Sequence, residues 1–505
     1  MGDRMTAETP RPIDPSYEPR GGDRDLTHRD ADWSGLDIVV MGLGVSGYAA
    51  ADALLERGAK VTVLSTDASP TVQERAKILD ILGARVLFGA EHQQQVPAGT
   101  ELVVTSPGVR PDHPFMLSAA AAGVPVWGEV ELAWRMRPRT GAAPWLTITG
   151  TNGKTTAVTM LEQILRSAGL RATAAGNVGL PILEAVLHPE PYEVLAVELS
   201  TFQLHWSRSL SPYASCLLNV APDHIDWHGS FEEYRRQKGR VYEQTQVACI
   251  YNVDDPTTEQ LLEDADVVEG CRAVGFTLGL PHPSMLGLVD DVLADRAFVD
   301  DRTHQAAELC QLKDLGQDGF APAPHYVQDA LAAAALARAF GVRPLAVRDG
   351  LRAYHPQPHR TATVIEVDGV RYVDDSKATN PPAAQAAMGA FDSIVWIAGG
   401  QLKGADVDEL VAANHAKLRG AVLIGVDRAQ IAQAIARHAP DVPVVVLDET
   451  DTGVMDHAVR RAAAMAAPGD VVLLSPAAAS LDMYASYGAR GDAFAAAARA
   501  LASTD

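Results

Sequence analysis

Leu146-Thr147-Ile148-Thr149-Gly150-Thr151-Asn152-Gly153-Lys154-Thr155-Thr156 is a short apolar strand that runs into a glycine loop and ends on Lys-Thr-Thr. A loop of this kind binds nucleotide phosphates. Its glycines let successive backbone N–H groups face inward, the following helix offers its positive N-terminal end, the lysine reaches the outer phosphates, and a hydroxyl can hold Mg²⁺. The general phosphate loop keeps about four residues between its glycines, whereas only Thr151 and Asn152 separate Gly150 from Gly153. The residues that follow, with Val158, Met160, Leu161, Ile164 and Leu165 on one face, read as the helix that such a loop requires.

Working outward, 505 residues with 47% apolar content describe a globular chain of about three domains. No apolar run reaches the ~18 residues of a membrane span, and the first thirty residues are charged and proline-rich. No membrane insertion is expected, and the expected location is cytoplasmic. The four cysteines, Cys216, Cys249, Cys271 and Cys310, form no Cys-x-x-Cys pair and read as buried thiols. A formal net charge of −22 disfavours attraction to nucleic acid or anionic lipid, while leaving room for a small anion held by local lysines.

Residues 1–33, with Pro10, Pro12, Pro15, Pro19 and many charges, read as a disordered tail. From Asp37 onward, short β-rich runs alternate with amphipathic helices, the pattern of parallel α/β architecture. Three α/β domains are expected: a Rossmann-like N-terminal domain over 34–132, a central P-loop ATPase-type parallel sheet over 133–356, and a Rossmann-like C-terminal domain over 357–505. The segment from about 280 to 323 reads as a small strand-rich extension, and His355-Pro356-Gln357-Pro358 as a hinge.

Gly42-Leu43-Gly44-Val45-Ser46-Gly47 follows a strand and suits a pyrophosphate, whether of a dinucleotide or of a uridine diphosphate group. The next strand tip is Ser65-Thr66-Asp67, where an NAD reader favours an acidic residue directly at the tip; the turn Thr105-Ser106-Pro107-Gly108 would sit beside it. Glu198 closes the apolar strand 194–199, where α/β folds present their ligands, either as a Mg²⁺ ligand or as a solvated strand end. Asn219-Val220-Ala221-Pro222-Asp223-His224-Ile225-Asp226 puts an acidic and histidine cluster at an equivalent tip.

Together, GTNGKTT at 150–156, AGNVG at 175–179, ELSTFQL at 198–204 and NVAPDHIDWH at 219–228 resemble the Mur ligases, the ATP-dependent amide-forming family of peptidoglycan synthesis. The compact phosphate loop belongs to that pattern, and the resemblance runs from about Asp37 to the C-terminus. Asp374-Asp375-Ser376-Lys377-Ala378-Thr379-Asn380, Gly399-Gly400-Gln401-Leu402-Lys403 and the stretch from Leu474 to Tyr484 resemble the D-glutamate-adding branch; other branches and the folylpolyglutamate synthases carry an Asp-x-Ala-His type motif in place of the first.

The resemblance implies ATP, UDP-N-acetylmuramoyl-L-alanine and D-glutamate as substrates of a monomeric enzyme, with two Mg²⁺ ions as cofactors. Gly150, Thr151, Asn152, Gly153, Lys154, Thr155 and Thr156 would cradle ATP, with Arg360 and Asp375 reaching the nucleotide from the third domain. Gly42, Leu43, Gly44, Val45, Ser46, Thr66, Ser106, Gly108, Asn177 and Gln203 would hold the uridine-linked substrate. Lys377, Thr379, Lys403, Ser480, Leu481 and Tyr487 would form the D-glutamate pocket. Lys154, Glu198, His224, Lys238 and Lys377 would be catalytic, with Thr155, Glu198, His224 and a carbamylated Lys238 as metal ligands. An ammonium about 4 Å from a unit charge interacts by ~4 kcal/mol at an effective dielectric of 20, and a divalent ion doubles this. A carbamate turns that repelled cation into an anionic ligand; a solvated helix lysine is the alternative. The chain departs from the family pattern at Ser65-Thr66-Asp67 and at His325-Tyr326-Val327-Gln328-Asp329, where the family has Asp-Thr-Arg and His-Asn-x-x-Asn types.

Overall fold

A computed structural model describes residues 24–316, 322–355, 358–449 and 451–502. They divide into two units, one of residues up to 310 with 329–352, the other of 311–328 with residues from 353 onward.

The first unit holds two sheets. β1 (Asp37–Met41), β2 (Lys60–Ser65), β3 (Arg85–Phe88), β4 (Leu102–Thr105) and β5 (Val126–Gly128) lie parallel in the order β3-β2-β1-β4-β5. The winding reverses between β1 and β4, so the loops at their C-terminal ends, 42–46 and 106–108, frame the switch-point crevice where such sheets bind ligands. The second sheet contains β6 (Trp145–Thr149), β7 (Ala172–Gly176), β8 (Val194–Glu198), β9 (Ala214–Leu217), β10 (Ala248–Asn252), β11 (Arg272–Phe276), β12 (Met285–Val289), β13 (Val292–Asp295) and β14 (Ala307–Gln311). Its order is β14-β13-β12-β11-β10-β9-β6-β8-β7. Every residue of β6, β8, β9 and β10 is buried, as expected of strands covered on both faces. The expected extension at 280–323 is the run β12 to β14, which prolongs this sheet by way of an antiparallel β12–β13 pair; residues 317–321 lie outside the described residues.

The two sheets are tied through Glu131. It is fully buried and paired with Arg135 at 2.6 Å, and it accepts from Arg208 N at 2.8 Å and Ser209 N at 3.0 Å. Gly128 N also donates to Trp206 O at 2.9 Å.

The expectation of a disordered tail through residue 33 is corrected for its last ten residues, 24–33; residues 1–23 lie outside the described residues. Leu26 and Trp33 are each 1% exposed and belong to the core beneath the first sheet. Trp33 meets Trp127 edge-on at 6.4 Å, and Arg24 Nη1 donates to Ser34 O at 2.8 Å. Composition hid these anchors because each is a single large side chain in a polar window. Trp33→Ala is expected to cost about 3–5 kcal/mol of unfolding free energy in urea, as for other buried tryptophans; a loss below about 1 kcal/mol would mean the segment does not hold the core.

In the second unit, β15 (Ala362–Val367), β16 (Val370–Asp374), β17 (Ile394–Gly399), β18 (Leu418–Ile424), β19 (Val444–Val446) and β20 (Val471–Leu474) run in the order β15-β16-β20-β17-β18-β19, parallel except for the β15–β16 pair. Apolar clusters cover both faces. The middle of the expected hinge, 356–357, lies outside the described residues. Among the described residues no helix is long and apolar enough to cross a membrane.

Candidate active site

The phosphate loop leaves β6 and enters the helix Lys154–Ser167. Gly153 adopts φ +82° at the helix N-cap, and a Cβ there would collide with Asp329 Oδ1, so only glycine serves. Asp329 is itself buried. The departure in the sequence 325–329 thus places a carboxylate group against the phosphate loop. The loop is held from the β9 side. Asn152 N donates to Asn219 Oδ1 at 2.9 Å, Thr151 N to Asn219 O at 3.1 Å, and Thr151 Oγ1 lies 2.9 Å from Tyr234 OH. The loop after β9 is braced in turn, with Val220 N donating to Asp255 Oδ2 at 2.8 Å.

Two lysines converge on one oxygen. Lys154 Nζ donates to Gly150 O at 2.9 Å and to Thr151 O at 2.9 Å, and Lys238 Nζ donates to the same Gly150 O at 2.7 Å. Lys238 is buried, with its nitrogen 4.8 Å from the Tyr234 ring centroid. Burial, reinforced by the Lys154 charge, drives the Lys238 ammonium well below the usual lysine range despite Asp223 and Glu198 nearby. Glu198, at the tip of β8, is also buried. Its Oε2 accepts from Thr155 Oγ1 at 2.8 Å and its Oε1 from Asn177 Nδ2 at 2.8 Å.

His224 begins the short helix Ile225–His228 in the left-handed region, φ +50°, with its ring edge-on to Phe202 at 4.9 Å. On the other side of this turn His228 stacks on Phe202, and its Nε2 lies 3.0 Å from Thr201 Oγ1; burial lowers its pKa to about 4, so its ring is neutral. Thr156 is buried in the first turn of the helix 154–167.

At the crevice of the first sheet, Gly42 has φ +95°, and a Cβ there would strike Ser106 Oγ, which seats the two crevice loops against each other. Leu43 is buried; Val45 and Gly108 are exposed. Trp227 Nε1 donates to Gly108 O at 3.3 Å and Arg110 Nη1 to Asp226 O at 2.6 Å, bringing this crevice beside the His224 turn. Thr66 is exposed, and Asp67 Oδ1 accepts from Ser69 N at 2.8 Å, a local turn that leads into the helix Pro70–Ile81. Gln203 is buried, and its Oε1 accepts from Ser200 N at 2.9 Å to close the capping box of the helix Thr201–His205.

In the second unit, Lys377 Nζ lies 3.9 Å from the Tyr487 ring centroid, and Ser376 Oγ donates to Tyr487 O at 2.8 Å. Arg490 is fully buried and organises this loop: Nε donates to Ser376 Oγ at 2.9 Å, Nη2 to Ser376 O at 2.8 Å and Nη1 to Ala478 O at 3.0 Å. Burial lowers its pKa to about 10, leaving it charged at neutral pH. Thr379 N donates to Lys377 O at 2.8 Å, and Ser480 is buried, whereas Lys403, with φ +52°, and Leu481 are exposed. Arg360 is half-buried. Tyr234 and Arg490 lie outside the expected site residues, as does Asn219, although it opens the motif at 219–228. Tyr234 precedes Lys238 by one helical turn, which was a usable signal; Arg490 gave none.

Burial pushes the Asp375 carboxyl up to about 7, against donation from Ser475 Oγ at 2.9 Å and Thr361 N at 3.1 Å. An acid with a folded-state pKa above its unfolded value of about 3.9 keeps its proton in the fold, so stability is lost as pH rises from about 4 to 7, by about 1.4 kcal/mol per unit. The melting temperature of the wild type is expected to fall across that window relative to Asp375→Asn; parallel profiles would contradict it.

Thr155 and Glu198 offer hard oxygen donors beside a phosphate loop, which fits Mg²⁺. That ion is usually held by one or two carboxylates together with substrate phosphates. Among the described residues no three acidic, histidine or cysteine side chains form a ready cage.

Three family matches run along the chain in order: the Mur ligase MurD-like N-terminal domain over 36–128, the Mur ligase middle domain over 148–337, and the Mur ligase glutamate ligase domain over 359–478. The chain is 58% identical to the UDP-N-acetylmuramoylalanine–D-glutamate ligase of Streptomyces avermitilis, over 93% of this chain and 99% of that one. It is 45% identical to that of Mycolicibacterium smegmatis, over 92% and 97%. Among solved structures, the UDP-N-acetylmuramate–alanine ligase of Thermotoga maritima superposes with a TM-score of 0.55 at 19% identity, over 93% of this chain and 100% of that one, a likeness of fold. With its domains matched in order and relatives spanning nearly their whole length, this chain belongs to the Mur ligase family.

Proposed function

We propose that this chain joins D-glutamate to the L-alanyl carboxylate of UDP-N-acetylmuramoyl-L-alanine at the expense of ATP, a cytoplasmic step of peptidoglycan synthesis. The bounds 34–132, 133–356 and 357–505 then separate the uridine-substrate, ATP and amino-acid domains, and the enzyme acts as a monomer. A carboxylate oxygen attacks the γ-phosphorus of ATP and ADP leaves; the amine of D-glutamate attacks the resulting acyl phosphate, and inorganic phosphate leaves. Bound Mg²⁺ supplies charge neutralisation on the phosphates, with Thr155, Glu198, His224 and carbamylated Lys238 as the residues that would hold two such ions. Lys154 neutralises the transferring phosphoryl group, and Asn177 orients the Glu198 carboxylate. Little of the rate comes from covalent chemistry by the protein; positioning and electrostatics supply it.

The observation that carries this reading is Lys154 on the phosphate loop, with the buried Glu198 carboxylate hydrogen-bonded to Thr155 Oγ1 at 2.8 Å at the start of the same helix, a pairing of cation and metal-ligand oxygens suited to phosphoryl charge. Lys377, Lys403, Thr379 and Ser480 bring two cations and two hydroxyls, a set that suits the two carboxylates of glutamate and repels lysine or diaminopimelate side chains. In an amino-acid panel, D-glutamate is expected to exceed L-glutamate, D-aspartate and diamino acids. Lys403→Ala and Ser480→Ala are expected to raise the KM for glutamate at least tenfold with little change in that for ATP. A preferred diamino acid, or changes confined to ATP, would refute the pocket.

A further inference from the structure

Away from the phosphate loop, at the N-terminal ends of β10 and β11, Cys249 Sγ and Cys271 Sγ lie 3.7 Å apart. Cys249 is buried in β10, and Cys271, half-buried, immediately precedes β11. Both line a cavity of about 360 Å³ together with Tyr251, Glu259, Leu262 and Glu263. The expectation of a buried thiol holds for Cys249, whereas Cys271 is only half-buried.

We propose that Cys249 and Cys271 form a dithiol site that captures one soft, thiophilic centre, a trivalent arsenical or a d¹⁰ metal ion, bridging both sulfurs. The ladder decides between a one-atom bridge and a direct disulfide. Cys249 stands opposite Ala273, and Arg272 N still donates to Val247 O at 3.0 Å, so Cys271 is offset by two positions on the same face. Two residues of strand rise about 6.6 Å and neighbouring strands lie about 4.8 Å apart, which puts the Cα atoms about 8 Å from each other. That exceeds the roughly 7 Å reach of a disulfide. A centre with bonds of about 2.3 Å to each sulfur at a tetrahedral angle spans about 3.8 Å, close to the separation observed.

The protonation pattern suits capture. Hydrogen bonding from the Cys249 thiol holds the Cys271 thiol below its usual range, while the same contact and burial push Cys249 up. Cys271, on the accessible side, makes the first bond, and Cys249 closes the bridge. With phenylarsine oxide the arsenic–oxygen bond breaks, two arsenic–sulfur bonds form, and the oxygen leaves as water with both thiol protons; no electrons change hands.

The test uses the full-length protein. One equivalent of phenylarsine oxide is expected to give a 1:1 adduct by intact mass, resistant to a monothiol and reversed by a dithiol, with Cys249 and Cys271 peptides joined through arsenic. In a second arm, Cd²⁺ is expected to give a thiolate charge-transfer band of unit stoichiometry. Cys271→Ser, and separately Cys271→Ala, should each weaken capture at least tenfold. A bridge in either arm supports the site and identifies its source. No adduct in both arms, attachment to a single sulfur, or capture unchanged in the Cys271 variants would overturn it.

Discussion

Lys154→Ala is expected to lower ligation by about 10²–10³-fold or more, the scale set by loss of one pre-positioned donor to developing transition-state charge. The side chain is half-buried at the first turn of the helix 154–167, and its hydrogen bonds go to the loop carbonyls of Gly150 and Thr151. No apolar core is opened by its removal, so circular dichroism and melting temperature should stay near wild type. Turnover within a factor of a few of wild type would remove the phosphate-loop assignment.

Lys238→Ala is expected to be inactive to a similar degree and to recover part of its activity in millimolar acetate or a similar short carboxylate. Two ammonium groups within hydrogen-bonding distance of one carbonyl oxygen repel each other, and burial falls harder on Lys238. Its neutral amine is thus more accessible than that of a solvated lysine, and a neutral amine is what adds to CO₂ to give a carbamate and a proton. The space left by Lys238→Ala would accept a small carboxylate in the place of the proposed carbamate. Rescue by acetate of Lys238→Ala but not of Lys154→Ala separates a missing anion from a missing cation; full activity without additive would reject the carbamate.

Much of this site was legible because its signals are local. A strand, two glycines and a lysine specify the phosphate loop within a dozen residues, and Glu198 shows itself as the one charge closing an apolar strand. The edges were harder. β7 reads Ala-Thr-Ala-Ala-Gly, in which only Thr173 favours a strand, and its regular pairing with β8 along its whole length is a tertiary contact that local propensity does not signal. Trp33 and Leu26 dock singly and leave no periodic trace. Arg490 acts on Ser376, far away in the chain, through hydrogen bonds that no spacing encodes. Asp329 against Gly153 is of the same kind: an unusual residue in a familiar motif, whose placement only tertiary packing reveals.

The most direct test of the account is phosphate release coupled to product mass, with ATP, Mg²⁺, UDP-N-acetylmuramoyl-L-alanine and D-glutamate supplied together and each omitted in turn. Phosphate and the D-glutamyl product are expected in equal amounts, only when all are present. Phosphate release independent of D-glutamate and of the uridine substrate, or no glutamyl product in the complete mixture, would contradict it.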